Sequence, residues 1–262
     1  MTEYATIRVD REGPLTTLTL NRPERRNGVT GRMVRETHRA LSDIAHDGET
    51  RLLVLTGAGD WFCPGADMGG APGENQDPEE PAAADPACFQ VAALLHEMPA
   101  VTLAAINGPC AGAGMGWACG ADLRIAARRA RFNTAFINVA FAGDMGIPWS
   151  LPRLVGAAKA RELSFLCEKF DADAALEMGL VARVFDDDVF ERETRRIVEI
   201  LLARSPVALS TLKAHYLSAE RMGFADYIAL ETEHHLAIGR MEDTREAFRA
   251  FLEKRAPVFT GR

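Results

Sequence analysis

The sequence is short of the features that mark several large classes of protein. Its five cysteines, Cys63, Cys88, Cys110, Cys119 and Cys167, are odd in number and form no C-x-x-C pair. That excludes a disulfide framework and a cysteine-built zinc site, and it fits a reducing, cytoplasmic setting. Positive charge is also scarce: 30 Lys and Arg stand against 37 Asp and Glu, a net −7. Such a chain lacks the cationic surface that displaces counterions from nucleic acid, so no nucleic-acid partner is expected. No apolar run approaches the roughly 20 residues of a membrane span. The opening MTEYATIRVDREGP has no basic segment leading into an apolar one, so the chain is expected to be unprocessed and to have no membrane partner. His234-His235 has no third ligand at metal spacing, so no metal is expected.

What is present is a globular composition: 262 residues, 47% of them hydrophobic, with 22 glycines and 13 prolines. A chain of this size can bury about three-quarters of the surface that its unfolded form exposes. Between Tyr4 and Leu20, two alternating apolar runs flank Arg11-Glu12-Gly13-Pro14, a hairpin signature in which Gly13 can take a positive φ. From Thr30 to Ala45, Met33, Val34, Thr37, Leu41, Ile44 and Ala45 recur at helical spacing, while Arg32, Arg35 and Arg39 occupy other faces. This predicts an amphipathic helix with a solvated basic face. Leu52–Thr56 and Ala100–Ile106 are continuous apolar runs ended by glycine-bearing turns, the pattern of strands covered on both faces. Ala71–Ala87, with four prolines and five acidic residues, reads as a loop that can fold over a site. Asp122–Ala126 and Arg131–Ile137 are strand-like, helical patterns resume at Ile147 and dominate from Asp187, and Pro206–Lys254 carries two or three helices. The expected fold class is therefore α/β, an α+β layered core over residues 1–200 with a helical C-terminal region over 201–262.

Two glycine-rich turns, each after a buried strand, are where chemistry can reside. The first runs from Gly57 through Trp61-Phe62-Cys63-Pro64-Gly65-Ala66-Asp67, the second from Asn107-Gly108 through Gly112-Ala113-Gly114-Met115-Gly116. Small residues let a ligand approach the backbone, and free N–H groups at a helix start point at negative charge. Brought together, the two turns can direct two N–H groups at one oxygen, the requirement for an oxyanion hole. Each turn alone also reads as a tight connection. A dinucleotide cradle needs G-x-G-x-x-G with an acid about 20 residues on, and Gly112-x-Gly114-x-Gly116 lacks that spacing.

Several ordered segments together carry a resemblance. They are Asn21-Arg22-Pro23-Glu24-Arg25-Arg26-Asn27, Trp61 to Asp67, Ala105-Ile106-Asn107-Gly108 with its continuation to Asp122, Leu151-Pro152-Arg153-Leu154-Val155-Gly156, Ala174 to Val181, and Phe251-Leu252-Glu253-Lys254-Arg255. In that order, over essentially the whole chain, they resemble the enoyl-CoA hydratase/isomerase (crotonase) family. The resemblance implies a spiral of ββα units, a helical C-terminal part that builds homotrimers or hexamers, and an acyl-CoA thioester as ligand. Coenzyme A is then part of the substrate and no further cofactor is expected. The implied oxyanion donors are the N–H groups of Ala66 and Ala113, flanked by Gly65 and Gly112. Arg25, with Arg22 and Arg26, becomes a candidate for the CoA phosphates, as do Lys254 and Arg255; Asn27, Phe136 and Phe251 join them as substrate contacts.

Family hydratases use two glutamates, and the motifs place Gly116 and Phe136 at those positions. Neither can move a proton, which speaks against syn-hydration of a 2-enoyl-CoA. Asp144 resembles the acid of isomerases in the family, where one carboxylate takes a proton from one carbon and returns it to another. Burial beside Phe136, Phe141 and Met145 would raise its pKa for that task, whereas the plainer reading makes it the N-cap of a helix beginning near Gly146. Asp67 reads as a structural tie of its loop, His96 as a surface or capping residue, and Trp61 and Trp117 as packing residues. Gly116 in place of a glutamate is expected to enlarge the pocket. The function this implies is an enoyl-CoA isomerase; a hydratase with non-standard acid and base, or a catalytically silent acyl-CoA binder, are the alternatives.

Overall fold

A computed structural model of the chain describes residues 4–69 and 85–262, so most of the Ala71–Ala87 segment lies outside the described residues. Strands β1 (Ile7–Glu12) and β2 (Leu15–Leu20) form the antiparallel hairpin, closed by Gly13 at φ +58°. Helix α1 (Gly31–His46) follows, capped by the Thr30 hydroxyl, which accepts from the Met33 N–H at 3.2 Å. It buries Met33, Val34, Leu41 and Ile44 and leaves its arginines outside. Strand β3 (Leu52–Gly57), helix α2 (Val91–Glu97), strand β4 (Val101–Ile106) and the two-residue β5 (Cys110–Ala111) lead to helix α3 (Ala113–Gly120). Then come β6 (Leu123–Ala127), β7 (Arg131–Asn133), α4 (Ile147–Val155), α5 (Ala157–Leu166), β8 (Phe170–Asp171), α6 (Ala172–Glu177) and β9 (Arg183–Phe185). Helices α7 (Phe190–Leu202), α8 (Pro206–Ala219), α9 (Phe224–Ile238) and α10 (Glu242–Glu253) end the chain.

The main sheet has the order β1-β2-β3-β4-β6-β9, parallel from β2 onward; β5, β7 and β8 form a second, smaller sheet. Side-chain alternation explains the continuous apolar runs. Leu53, Leu55, Ala104 and Ile106 face a core shared with α1, α2 and α3, while Leu52, Val54, Leu103 and Ala105 face a second core closed by Phe190, Ile197 and Val198 of α7. The strand-like stretch at Arg131–Ile137 is shorter than expected. It ends at Asn133, whose side-chain Oδ1 accepts from the Ala135 N–H, and Phe136–Val139 is a 3₁₀ turn.

A buried cation pins the C-terminal helices to this core. Lys213 of α8 is 6% exposed; its Nζ lies 2.8 Å from Asp122 Oδ2 and donates to the carbonyls of Ala100 (2.9 Å) and Leu95 (3.2 Å). Among the described residues no helix is long and apolar enough to cross a membrane.

Candidate active site

In a parallel sheet the loops leaving the C-terminal strand ends gather on one side, where ligands bind. Here those of β3 and β4 are the two glycine-rich turns. Two buried asparagines fold them. Asn107 donates to the carbonyls of Gly57 (2.9 Å) and Gly59 (2.8 Å) and accepts from the Gly57 N–H. Asn27, with no exposed surface, donates to the carbonyls of Ala58 (2.9 Å) and Trp61 (2.7 Å) and accepts from the Arg22 N–H. The Asn27 side-chain amide, expected at the substrate, is engaged by the loop that it shapes.

Residues 63–67 are clamped on both sides. The Cys63 N–H donates to Pro109 O and the Ala111 N–H to Cys63 O, while the Val29 N–H donates to Gly65 O and the Asp67 N–H to Val29 O. Gly65, at φ +97°, rests against the second turn, where a Cβ would stand 3.2 Å from Ala111 O. The residues after the contacting pair Gly65 and Gly112 are Ala66 and Ala113. Among the described residues, the N–H groups of Ala66 and Ala113 have no hydrogen-bond partner. Ala113 opens α3, whose N-cap Gly112 (φ +48°) supplies no side chain, so its N–H adds to the positive end of the helix.

Asp144 completes the group. A Cβ on Gly112 would stand 3.4 Å from Gly65 Cα and 3.5 Å from Asp144 Oδ2, so the carboxylate and both turns converge on that glycine. Burial pushes the Asp144 carboxyl above the ordinary range, against a single hydrogen bond from the Met145 N–H. No arginine, lysine or histidine pairs with it among the described residues. The N-cap of α4 is Gly146, and it is the backbone carbonyl of Asp144, not its side chain, that accepts from the Ile147 N–H. The capping alternative is thereby overturned. Phe141 is 67% exposed and does not wall off the carboxylate as expected; Phe136 is buried at 6%. Burial also pushes the nearby Cys63 thiol up to about 12, with Asp144 adding to the rise, so it remains a neutral thiol.

Gly116 does not enlarge the cleft. A Cβ there would meet Met145 Cβ at 2.6 Å, Met145 O at 2.8 Å and Asp144 O at 3.1 Å. The missing side chain instead seats the 142–146 turn, in which Met145 is held at φ +41° between two positive-φ glycines. The signal was present as Gly112, Gly116 and Gly120 at intervals of four, one face of a helix, with Ala92 lying over Gly120.

The basic candidates divide. Asp67 binds Arg22 (3.0 Å), Arg25 (3.0 and 3.2 Å) and the Gly69 N–H (3.1 Å). Burial pushes its carboxyl up, but these donors prevail and hold it below the usual range. Arg25, a candidate for the CoA phosphates, is thus engaged in bracing the loop. Arg26 stands 5.1 Å over the Trp61 ring, with no carboxylate partner among the described residues. Phe251, 81% exposed, lines a groove between α8 and α10 that includes none of Ala66, Ala113 or Asp144; Lys254 is exposed at the end of α10. No group of three or more His, Cys, Asp or Glu among the described residues is placed to hold a metal.

Residues 10–262 match the family model described as enoyl-CoA hydratase/isomerase. The chain is 35% identical to the 1,2-epoxyphenylacetyl-CoA isomerase of Escherichia coli K12, over 96% of this chain and 97% of that one. It is 36% identical to a probable enoyl-CoA hydratase of Rhodobacter capsulatus, over 99% of each. A putative enoyl-CoA hydratase from Streptomyces coelicolor superposes with a TM-score of 0.90 at 28% identity, covering 100% of this chain and 96% of that one. An enoyl-CoA hydratase from Bacillus anthracis does so with 0.88 at 27%, covering 98% and 100%. In sequence along its length and in its crotonase fold, this chain belongs to the enoyl-CoA hydratase/isomerase family.

Proposed function

We propose that the protein is an acyl-CoA isomerase that moves a double bond from the 3 to the 2 position of an enoyl-CoA thioester. The observation that carries this is a half-buried carboxylate converging on Gly112 with two N–H groups, the carboxylate without a cationic partner and the N–H groups unpaired among the described residues. In this reading the thioester oxygen sits between the Ala66 and Ala113 N–H groups. Asp144 takes a proton from C2, the electron pair moves through C3 so that C4 becomes nucleophilic, and the oxygen carries the charge of the dienolate. The protonated Asp144 then returns the proton to C4, giving the 2-enoyl thioester and the starting carboxylate. Its raised pKa favours the first half, since a carboxylate that binds a proton more tightly is the stronger base, and it helps keep that proton from solvent until C4 takes it. Hydration would need a second acid, and the place of one of the family glutamates is filled by Met145.

Coenzyme A travels as part of the substrate in this scheme, with Arg26, which has no carboxylate partner among the described residues, as a guanidinium for its phosphates. No other cofactor is needed. A homotrimer, alone or paired into a hexamer, would cover the C-terminal helices: α9 buries no residue within its own chain, and Phe224, Phe251 and Leu252 are 80, 81 and 80% exposed.

Purified protein incubated with 3-hexenoyl-CoA and with 2-hexenoyl-CoA, followed for both double-bond shift and water addition, tests the reading. Isomerisation with little hydration is expected. Exchange of the C2 proton with deuterated water reports enolisation even where no product accumulates. Rapid hydration of the 2-enoyl substrate, or acyl-CoA binding with neither exchange nor turnover, would overturn it.

A further inference from the structure

A cavity of about 410 Å³ opens on the side of the 142–146 turn marked by Met145 and Gly146. Ala92 and Ala93 of α2 and Gly120, the last residue of α3, contribute to its lining. One wall is aromatic: the Trp149 ring, 45% exposed, meets the His96 ring edge-on with centroids 5.2 Å apart. The rim is polar, with the Arg153 guanidinium 3.8 Å over Trp149, His96 hydrogen-bonded to Glu220 at 3.1 Å, and Glu97 paired with Arg221 at 2.6 Å.

The position of this cavity relative to the reacting atoms follows from α3. Its first residue is Ala113, its Gly116 supports Met145, and its Gly120 lines the cavity. At about 1.5 Å per residue, Met145 lies about 4–5 Å along the helix from the oxyanion end, and the cavity, which reaches Gly120, extends beyond it. An extended acyl chain covers that length with about five carbons past the carbonyl. Size and shape then discriminate among tails. An apolar cavity of about 150 Å³ accommodates one benzene molecule, so this cavity has room for a ring at the end of a chain. Its aromatic wall offers the edge and face contacts that rings favour.

We infer that this cavity is the tail pocket of the acyl site and that it takes a ring-bearing acyl group, the ring lying against Trp149 and His96 and a polar ring substituent meeting the Arg153 and Glu220 rim. The inference rests on the acyl-CoA reading of the cleft and adds the class of acyl group. Met145 and Trp149 are its specificity-determining residues.

Binding of hexanoyl-CoA and 6-phenylhexanoyl-CoA by calorimetry tests the pocket without requiring turnover. Wild-type protein is expected to bind the phenyl-bearing thioester at least about tenfold more tightly, the gain from burying one ring. Ala93→Phe, which fills the cavity, and Trp149→Leu, which removes the aromatic wall, should each reduce that ratio to below about threefold. A wild-type ratio near one, or a tenfold ratio that survives in both variants, would overturn the pocket. Kinetics with 6-phenyl-3-hexenoyl-CoA and 3-hexenoyl-CoA separate the two readings. A ring preference in binding without isomerisation of either substrate would leave the pocket standing and remove the isomerase; isomerisation of both with no ring preference would do the reverse. Failure to bind either thioester would overturn both.

Discussion

Two short turns, 65–69 and 142–146, each carry one aspartate, and they treat it in opposite ways. Asp67 is ringed by Arg22, Arg25 and the Gly69 N–H, and its carboxyl is held below the usual range although burial acts the other way. Asp144 has burial and one N–H from Met145, and its carboxyl is pushed up. A carboxylate enclosed by cations stays charged and serves as a brace. One that is partly stripped of water and left without a cation takes up a proton at a higher pH than an ordinary aspartate does. What separates the proposed base from the brace is the set of neighbours, since both residues are aspartates on glycine-bearing turns.

Paired substitutions put the largest strain on this contrast. Asp144→Asn should lower kcat for 3-enoyl-CoA isomerisation by about 10³-fold, within the range that general acid–base groups supply. Asp67→Asn should leave kcat within about tenfold of wild type, since it removes no proton-transfer group. Equal losses in steady-state assays of the two variants would erase the distinction.

Gly116→Ala tests whether the seat of the 142–146 turn matters. The added methyl meets Met145 and must displace the turn, so kcat should fall by about 10- to 100-fold, the cost of moving a catalytic group by about an ångström. Binding of a saturated acyl-CoA, measured separately, should change far less. Unchanged kcat would show that Asp144 does not depend on this contact.

Stability should respond with opposite signs. Asp144 holds its proton more tightly in the folded than in the unfolded chain, so its contribution declines as pH rises from the unfolded pKa through the raised folded one. Asp144→Asn is therefore expected to raise Tm slightly at pH 7. Asp67 has the reverse linkage: its contribution is present above the unfolded pKa and is lost as pH falls through the depressed folded one. Asp67→Asn should lower Tm by a few degrees at neutral pH. Thermal denaturation of both variants checks the pair, and a matching sign would break the comparison.

The smallest effect is in the wild-type pH profile. If Asp144 is the base, the acid limb of kcat/KM should lie above the ordinary aspartate value, because a base works only when ionised and the pKa of Asp144 is raised. A limb at the value of a solvated aspartate would place the working carboxylate elsewhere.

Much of the fold was legible in the residues because apolar periodicity and turn chemistry are local. The hairpin around Gly13, the helix from Thr30, the two doubly covered strands and the helical C-terminal region all follow from spacing. The strand-like reading of Arg131–Ile137 ran too long because the bond from the Ala135 N–H to Asn133 leaves no mark on hydrophobic pattern. At the site, the resemblance singled out Ala66, Ala113 and Asp144, which the fold brings together, and also Asn27 and Arg25, whose bonds within the loop no sequence pattern announced. A polar side chain that satisfies a buried loop and one that awaits a ligand look the same until their hydrogen bonds are known.

What the sequence by itself determined, then, is the alternation of strands and helices, the placing of two glycine-rich turns after buried strands, and a lone aspartate among small and apolar residues. Only the tertiary structure decided what those turns do. It brought Arg22 and Arg25 to Asp67 across 45 and 42 positions, and laid Met145 into the space that Gly116 leaves open. Burial and ion pairing are sums over neighbours in space, so the charge state of Asp67 and Asp144 is a property of the folded chain and not of the residue type.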